Sequence, residues 1–183
     1  YAQKNKIALC EKNVAFELRL PMGIGAGVAL DPAFGQASPR GEVPALLDGG
    51  TRIFDSTIIL EYIEEKWPEP PLLPADPAAR ARARMIEDAM DTHYDAIKWG
   101  LGEIRFMGRA KGELAETIEA NAARQVAAWQ RWLEKQLAGA EWSGGASFGW
   151  AYLSVVPYLN GSAGFGLVPP AGSGLAAWHA RAN

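Results

Sequence analysis

Apolar positions recur along this chain with two periods, and the balance between them changes near residue 70. From 2 to 13, Ile7, Ala8 and Cys10 alternate in helical spacing with the polar Lys4, Lys6, Glu11 and Lys12, and Asn13 is a stop signal. Val14 to Leu20 sets Ala15, Glu17 and Arg19 against Phe16, Leu18 and Leu20, a period of two that predicts a half-buried strand. Pro21 to Gly35 is rich in glycine and proline and reads as a loop. Val43 to Leu47 predicts a short apolar strand. Asp48-Gly49-Gly50 predicts a tight hairpin, because Asp-Gly supplies the positive φ such turns need, and Thr51 to Phe54 predicts the returning strand. Ile59, Tyr62, Ile63 and Lys66 then follow a helical period that Trp67-Pro68 ends.

Pro68 to Pro74 is a stiff linker, since proline fixes φ and removes backbone donors. Beyond it the pattern is helical throughout. Asp76-Pro77 supplies an acid N-cap and a first-turn proline. One helical run passes through Met90, Ile97, Leu101 and Ile104, with Gly100 and Gly102 as candidate bends. A second carries Leu114, Ile118, Ala122, Trp129, Leu133 and Leu137. Shorter helices are expected around Ala151 to Leu159 and Leu175 to Arg181.

Composition narrows the function classes. The 183 residues are 49% hydrophobic with a net charge of −3, which suits a packed core and gives no electrostatic basis for nucleic-acid binding. No apolar run is long enough for a bilayer, and no secretory pattern opens the sequence, so a cytoplasmic protein without membrane contact is expected. Cys10 is the single cysteine, which excludes an intramolecular disulfide and fits a reducing compartment; it reads as a packed core thiol. His93 and His179 lie too far apart for ligand spacing, so no metal is expected. Gly23 to Gly27 has dinucleotide-loop glycines but no helix opening after it, and reads as a plain loop.

The most informative stretch is Gly41-Glu42-Val43-Pro44-Ala45-Leu46, followed by Asp55-Ser56 and Ile59-Leu60-Glu61-Tyr62-Ile63. Asp55 and Ser56 open a helix, so they either cap it or grip an anion at its positive end. Pro44 is either an edge-strand proline or part of a binding strand. Together with the proline linker and the helical second half, these motifs resemble the glutathione S-transferase family over nearly the whole chain. The resemblance implies an α/β plus all-α fold: a thioredoxin-like N-terminal domain over 1–71, then an all-helical C-terminal domain over 72–183. It places the first strand and the catalytic residue upstream of Tyr1, leaving the catalytic residue unknown; Tyr1-Ala2-Gln3-Lys4 has a weak omega-like flavour.

By that resemblance, Ser56 holds the γ-glutamyl carboxylate of glutathione and Asp55 meets its ammonium. Val43 pairs its backbone with the cysteinyl unit beside a cis Pro44. Glu42 departs from the family's glutamine or lysine, and Arg40 is the candidate cation that compensates. Gly149 and Tyr152 depart from the family's capping box, which predicts a helix start weaker by about 1 kcal/mol or supported differently. The implied chemistry is a glutathione transferase of detoxification type, turning the co-substrate's thiol into a thiolate that attacks a small hydrophobic electrophile. Tyr94, Trp99, Arg105 and Phe106 are candidates for the electrophile site; alternatively, Trp99 and Phe106 are core and Arg105 is surface. A homodimer is implied. The competing readings are a glutathione-dependent thiol reductase or lyase, and a non-catalytic binding protein of the same fold.

Overall fold

Three helices begin where an aspartate supplies the cap. Asp31 opens α2 (Pro32–Ala37), Asp55 opens α3 (Ser56–Lys66) and Asp76 opens α4 (Pro77–Asp88), each accepting backbone N–H bonds in the first turn. The computed structural model describes residues 1–22, 29–137 and 148–182. Its contacts divide the chain into two units, Tyr1–Leu72 and Leu73–Asn183.

In the first unit α1 (Ala2–Glu11) packs on α3, and β1 (Ala45–Asp48) pairs antiparallel with β2 (Thr51–Phe54) against that same helix. The register runs from Ala45 opposite Phe54 to Asp48 opposite Thr51. Gly49 and Gly50 alone therefore make the turn, and Gly49 takes φ 58°. Ile59, Leu60 and Ile63 of α3 are almost wholly buried with Ala8 and Leu9 of α1, each large side chain contributing about 1.5–3 kcal/mol. Asn13 stops α1 with φ 52°, and the Val14 N–H bonds back to the Leu9 carbonyl.

Four expectations for this unit change. Val14 to Leu20 is not a strand: no described segment completes a ladder with it, and most of its residues are exposed. The loop expected from Pro21 to Gly35 contains the start of α2, because Asp31-Pro32 is the same cap-and-proline signal as Asp76-Pro77. The Gly23 to Gly27 run within it lies outside the described residues. Cys10 is exposed rather than packed. Lys4 and Lys12, read as polar-face residues, are 1% and 6% exposed. Lys4, Ala8 and Lys12 recur every four residues and share one face of the turn. The Lys12 ammonium is neutralised by Glu64 at 2.7 Å and donates to the Trp67 and Pro70 carbonyls. Glu64 also accepts from the Leu72 N–H, so one buried pair fixes the chain beyond α3.

The second unit is helical. α4 continues through wide π-helical turns at Ala89–Tyr94 into α5 (Asp95–Arg105), followed by α6 (Gly112–Leu137), α7 (Trp150–Ala163) and α8 (Gly174–Ala182). The departure from regular helix falls at Ala89–Tyr94, not at Gly100 or Gly102, which sit inside regular α5. Thr92 Oγ1 donates to the Asp88 carbonyl there, a side-chain bond that competes with the ladder. α7 is buried on nearly all sides and contacts α4, α5 and α8. None of the described helices is long and apolar enough to cross a membrane.

Candidate functional site

The first turn of α3 is where the local rules are most visibly broken. Asp55 has φ 73° and ψ 128°, a region that costs a non-glycine residue about 1–3 kcal/mol. Its Oδ1 accepts from the N–H groups of Thr57 at 2.9 Å and Ile58 at 3.3 Å. The Ile59 N–H bonds the Asp55 carbonyl. The Ser56 N–H and hydroxyl are therefore the donors of that turn which capping does not use, at the positive end of an 11-residue helix. Asp55 is exposed and Ser56 is 4% exposed, so an anion bound there leaves bulk water behind. Asp55 therefore caps the helix, and the turn keeps donors that the cap does not use.

The first turn of α1 lies against this one. The Lys4 ammonium donates to Thr57 Oγ1 at 3.1 Å. Next to it, Asn5 is 4% exposed and its carboxamide has no hydrogen-bond partner among the described residues. Tyr1 caps α1 without a side-chain bond to the first turn. The sequence reading missed the burial of Lys4 and Asn5; the signal was that each stands four residues before an apolar position, Ala8 and Leu9.

The approach to β1 is built tightly. Ser38, buried, donates its hydroxyl to the Glu42 carbonyl at 2.8 Å and accepts the Glu42 N–H at 3.1 Å. Gly41 turns with φ 66°, and a Cβ there would meet Leu30 Cδ1 at 3.1 Å. The Val43-Pro44 peptide is cis. Val43 precedes the first ladder pair, so its backbone lies outside the hairpin, and β1 begins two residues later than expected because Pro44 offers no donor. Arg40 and Glu42 pair at 2.7 Å on the surface, so each offsets the other's charge. Behind the hairpin Asp48 accepts from Tyr62 at 2.8 Å and pairs with Lys66. These two bonds hold its carboxyl below the ordinary range.

The four electrophile-site candidates part company. Tyr94 is fully buried, its hydroxyl 2.9 Å from Ser162 Oγ and 3.4 Å from Gln130 Nε2, and burial raises its pKa. Arg105 is clamped by both oxygens of Glu119 and donates to the Phe165 carbonyl, tying the end of α5 to α6. Trp99 and Phe106 are 66% and 72% exposed, which corrects the alternative that placed them in the core. A cleft of about 640 Å³ within this unit runs elsewhere, between the π turns with α5 and α6, past Ile97, Leu101, Ile118 and the stacked His93–Trp129 pair.

At the start of α7, Gly149 caps the helix without a side chain, as its identity requires. Support comes from Trp150 Nε1, which donates to buried Glu87 at 2.6 Å. Tyr152 adds a hydroxyl bond to the Ala182 carbonyl.

Residues 1–71 match the family model described as Glutathione S-transferase, N-terminal domain. The maleylacetoacetate isomerase of Pseudomonas aeruginosa is 30% identical over 170 residues, covering 88% of this chain and 76% of that protein. Glutathione S-transferase Z1 of Arabidopsis thaliana is 44% identical over 80 residues, covering 44% of this chain but only 36% of the plant protein's length. Among solved structures, a bacterial zeta-class maleyl pyruvate isomerase superposes with a TM-score of 0.80 at 28% identity, covering 99% of this chain and 86% of that one. The maleylacetoacetate isomerase from Methylobacterium extorquens, solved with malonate and glutathione bound, gives 0.79 at 25% identity, with coverage of 98% and 85%.

Proposed function

Because the chain belongs to the glutathione S-transferase family, we propose that it is a glutathione-dependent enzyme that binds the tripeptide at the α3 mouth. The strained, exposed Asp55 beside the unused donors of Ser56 carries this reading, because stability alone does not favour an aspartate at φ 73°. The Ser56 N–H and hydroxyl take the γ-glutamyl carboxylate, and Asp55 Oδ2 takes the ammonium. Val43, outside the ladder, pairs with the cysteinyl backbone as an added strand. The first turn of α1, at the positive end of that helix, favours the thiolate over the thiol.

The thiolate attacks an apolar electrophile. The exposed apolar side chains of Trp99, Phe106, Met107, Leu114 and Ile118 suit the proposed homodimer.

A second reading is cis–trans isomerisation, favoured by the isomerase relative that aligns over 76% of its length. There the thiolate adds to a cis double bond, the resulting single bond rotates, and elimination returns both the trans alkene and the thiolate. Free thiol then separates the two. Conjugation consumes one thiol per product, and isomerisation consumes none. Calorimetric titration with glutathione tests the shared premise. Saturable binding lost in Asp55→Gly is expected; a wild-type protein that takes up no glutathione removes both readings.

A further inference from the structure

Lys4 is placed against the electrostatic grain of the fold. It lies in the first turn of α1, and its ammonium reaches the first turn of α3 through Thr57 Oγ1 at 3.1 Å. Helix N-termini carry partial positive charge and favour acids, not lysines, and here two such ends share one ammonium. The side chain is 1% exposed, so its ammonium is held by partners inside the fold, of which Thr57 is one. Asn5, the next residue, is also buried, with its carboxamide unpartnered among the described residues. Two consecutive polar side chains are thus held in a buried turn where packing would favour apolar ones. Such local violations concentrate where function outweighs stability.

We infer that Lys4 is a positioning residue for the α-carboxylate of the tripeptide's γ-glutamyl end, orienting the first turn of α3 through Thr57 and adding positive potential behind Ser56. This rests on the reading of Asp55 and Ser56 as the glutathione site. It adds a second helical element, α1, to carboxylate recognition. It also makes the affinity for that one carboxylate depend on a residue that does not touch it.

The test pairs a protein change with a ligand change. Wild type, Lys4→Met and Lys4→Arg are titrated with glutathione and with 4-aminobutyryl-cysteinyl-glycine, which lacks only that carboxylate. Lys4→Met weakens glutathione about tenfold, the scale of one charge at several ångströms in a partly screened site, and leaves the analogue within about twofold. Lys4→Arg restores glutathione to within about threefold, because it keeps the charge. In turnover the loss falls on KM for glutathione and not on kcat at saturation. Lys4 has further contacts inside the fold, and an ammonium that served only those would weaken both ligands alike or neither; either result overturns the inference. If Lys4→Met gives no cooperative melt, Thr57→Val removes the acceptor and keeps the charge. A selective loss for glutathione supports the inference there, and an unselective one overturns it. Wild-type protein that binds neither ligand sinks the glutathione reading as well, whereas normal wild-type binding with an unselective Lys4→Met sinks Lys4 alone.

Discussion

α3 and α7 begin in opposite ways. α3 opens on an exposed aspartate whose side chain bonds two backbone N–H groups from a strained conformation. α7 opens on a glycine that offers no side-chain acceptor. Around α7 the missing cap is replaced by tertiary contacts. Trp150 bonds Glu87, Tyr152 bonds the Ala182 carbonyl, and the Tyr152 ring lies 4.5 Å from Phe148 and 6.0 Å from Trp178. A buried helix start can be fixed by what packs on it. A start that serves a ligand must keep polar groups within reach and accept local strain to aim them.

The largest effect should come from removing the packed anchor. Trp150→Ala is expected to destabilise the protein by about 3–5 kcal/mol, from the lost indole volume and the lost bond to Glu87, and to lower the denaturant midpoint accordingly. Glutathione affinity of the folded fraction should stay unchanged. A fall below 1 kcal/mol would show that α7 is held by something else.

Asp55→Gly sharpens the contrast from the other side. Glycine adopts φ 73° without strain and caps nearly as well, so melting should hold or rise. Glutathione affinity should fall about 100-fold, as for loss of a charge-assisted contact in a partly desolvated site. Retained affinity would make Asp55 a cap and nothing more. Ser56→Ala should cost about tenfold in affinity with little change in melting, since it removes one hydroxyl donor.

A smaller effect concerns the support behind the site. The Asp48 carboxyl is held below its ordinary value of 3.8, first by Lys66 and then by Tyr62. A depressed carboxylate pKa contributes stability that is full above the unfolded value and lost as pH falls through the folded one. Stability against acid should therefore drop more steeply below pH 3.8 in wild type than in Asp48→Asn; parallel acid curves would discount the contact. The smallest change is Gly149→Ser, which restores a side-chain cap. Glycine is nearly as good there and α7 is already anchored, so a gain of only a few tenths of a kcal/mol is expected in thermal melting.

Local signals were legible where the physics is local. The Asp48-Gly49-Gly50 hairpin, the Asp76-Pro77 start, the Asn13 stop and the end of α3 at Trp67 each depend on a few adjacent residues, and the sequence marks each of them. The same cap-and-proline signal at Asp31-Pro32 was hidden among glycines. Asp55 and Ser56 were visible as a helix start, but their φ angle and their unused donors were not.

What the amino-acid order determined by itself was the run of helices, the hairpin and the motif that marks the family, because turn chemistry and periodicity act over a few residues. Only the tertiary structure decided that Lys4 and Lys12 face inward while Cys10 faces out, that Val14 to Leu20 has no described strand to pair with, and that Tyr94 is sealed behind Ser162 and Gln130. Burial of a charge and completion of a ladder depend on partners distant in sequence. Lys4 meets Thr57 across 53 residues and Lys12 meets Trp67 across 55, and no local pattern encodes such a meeting.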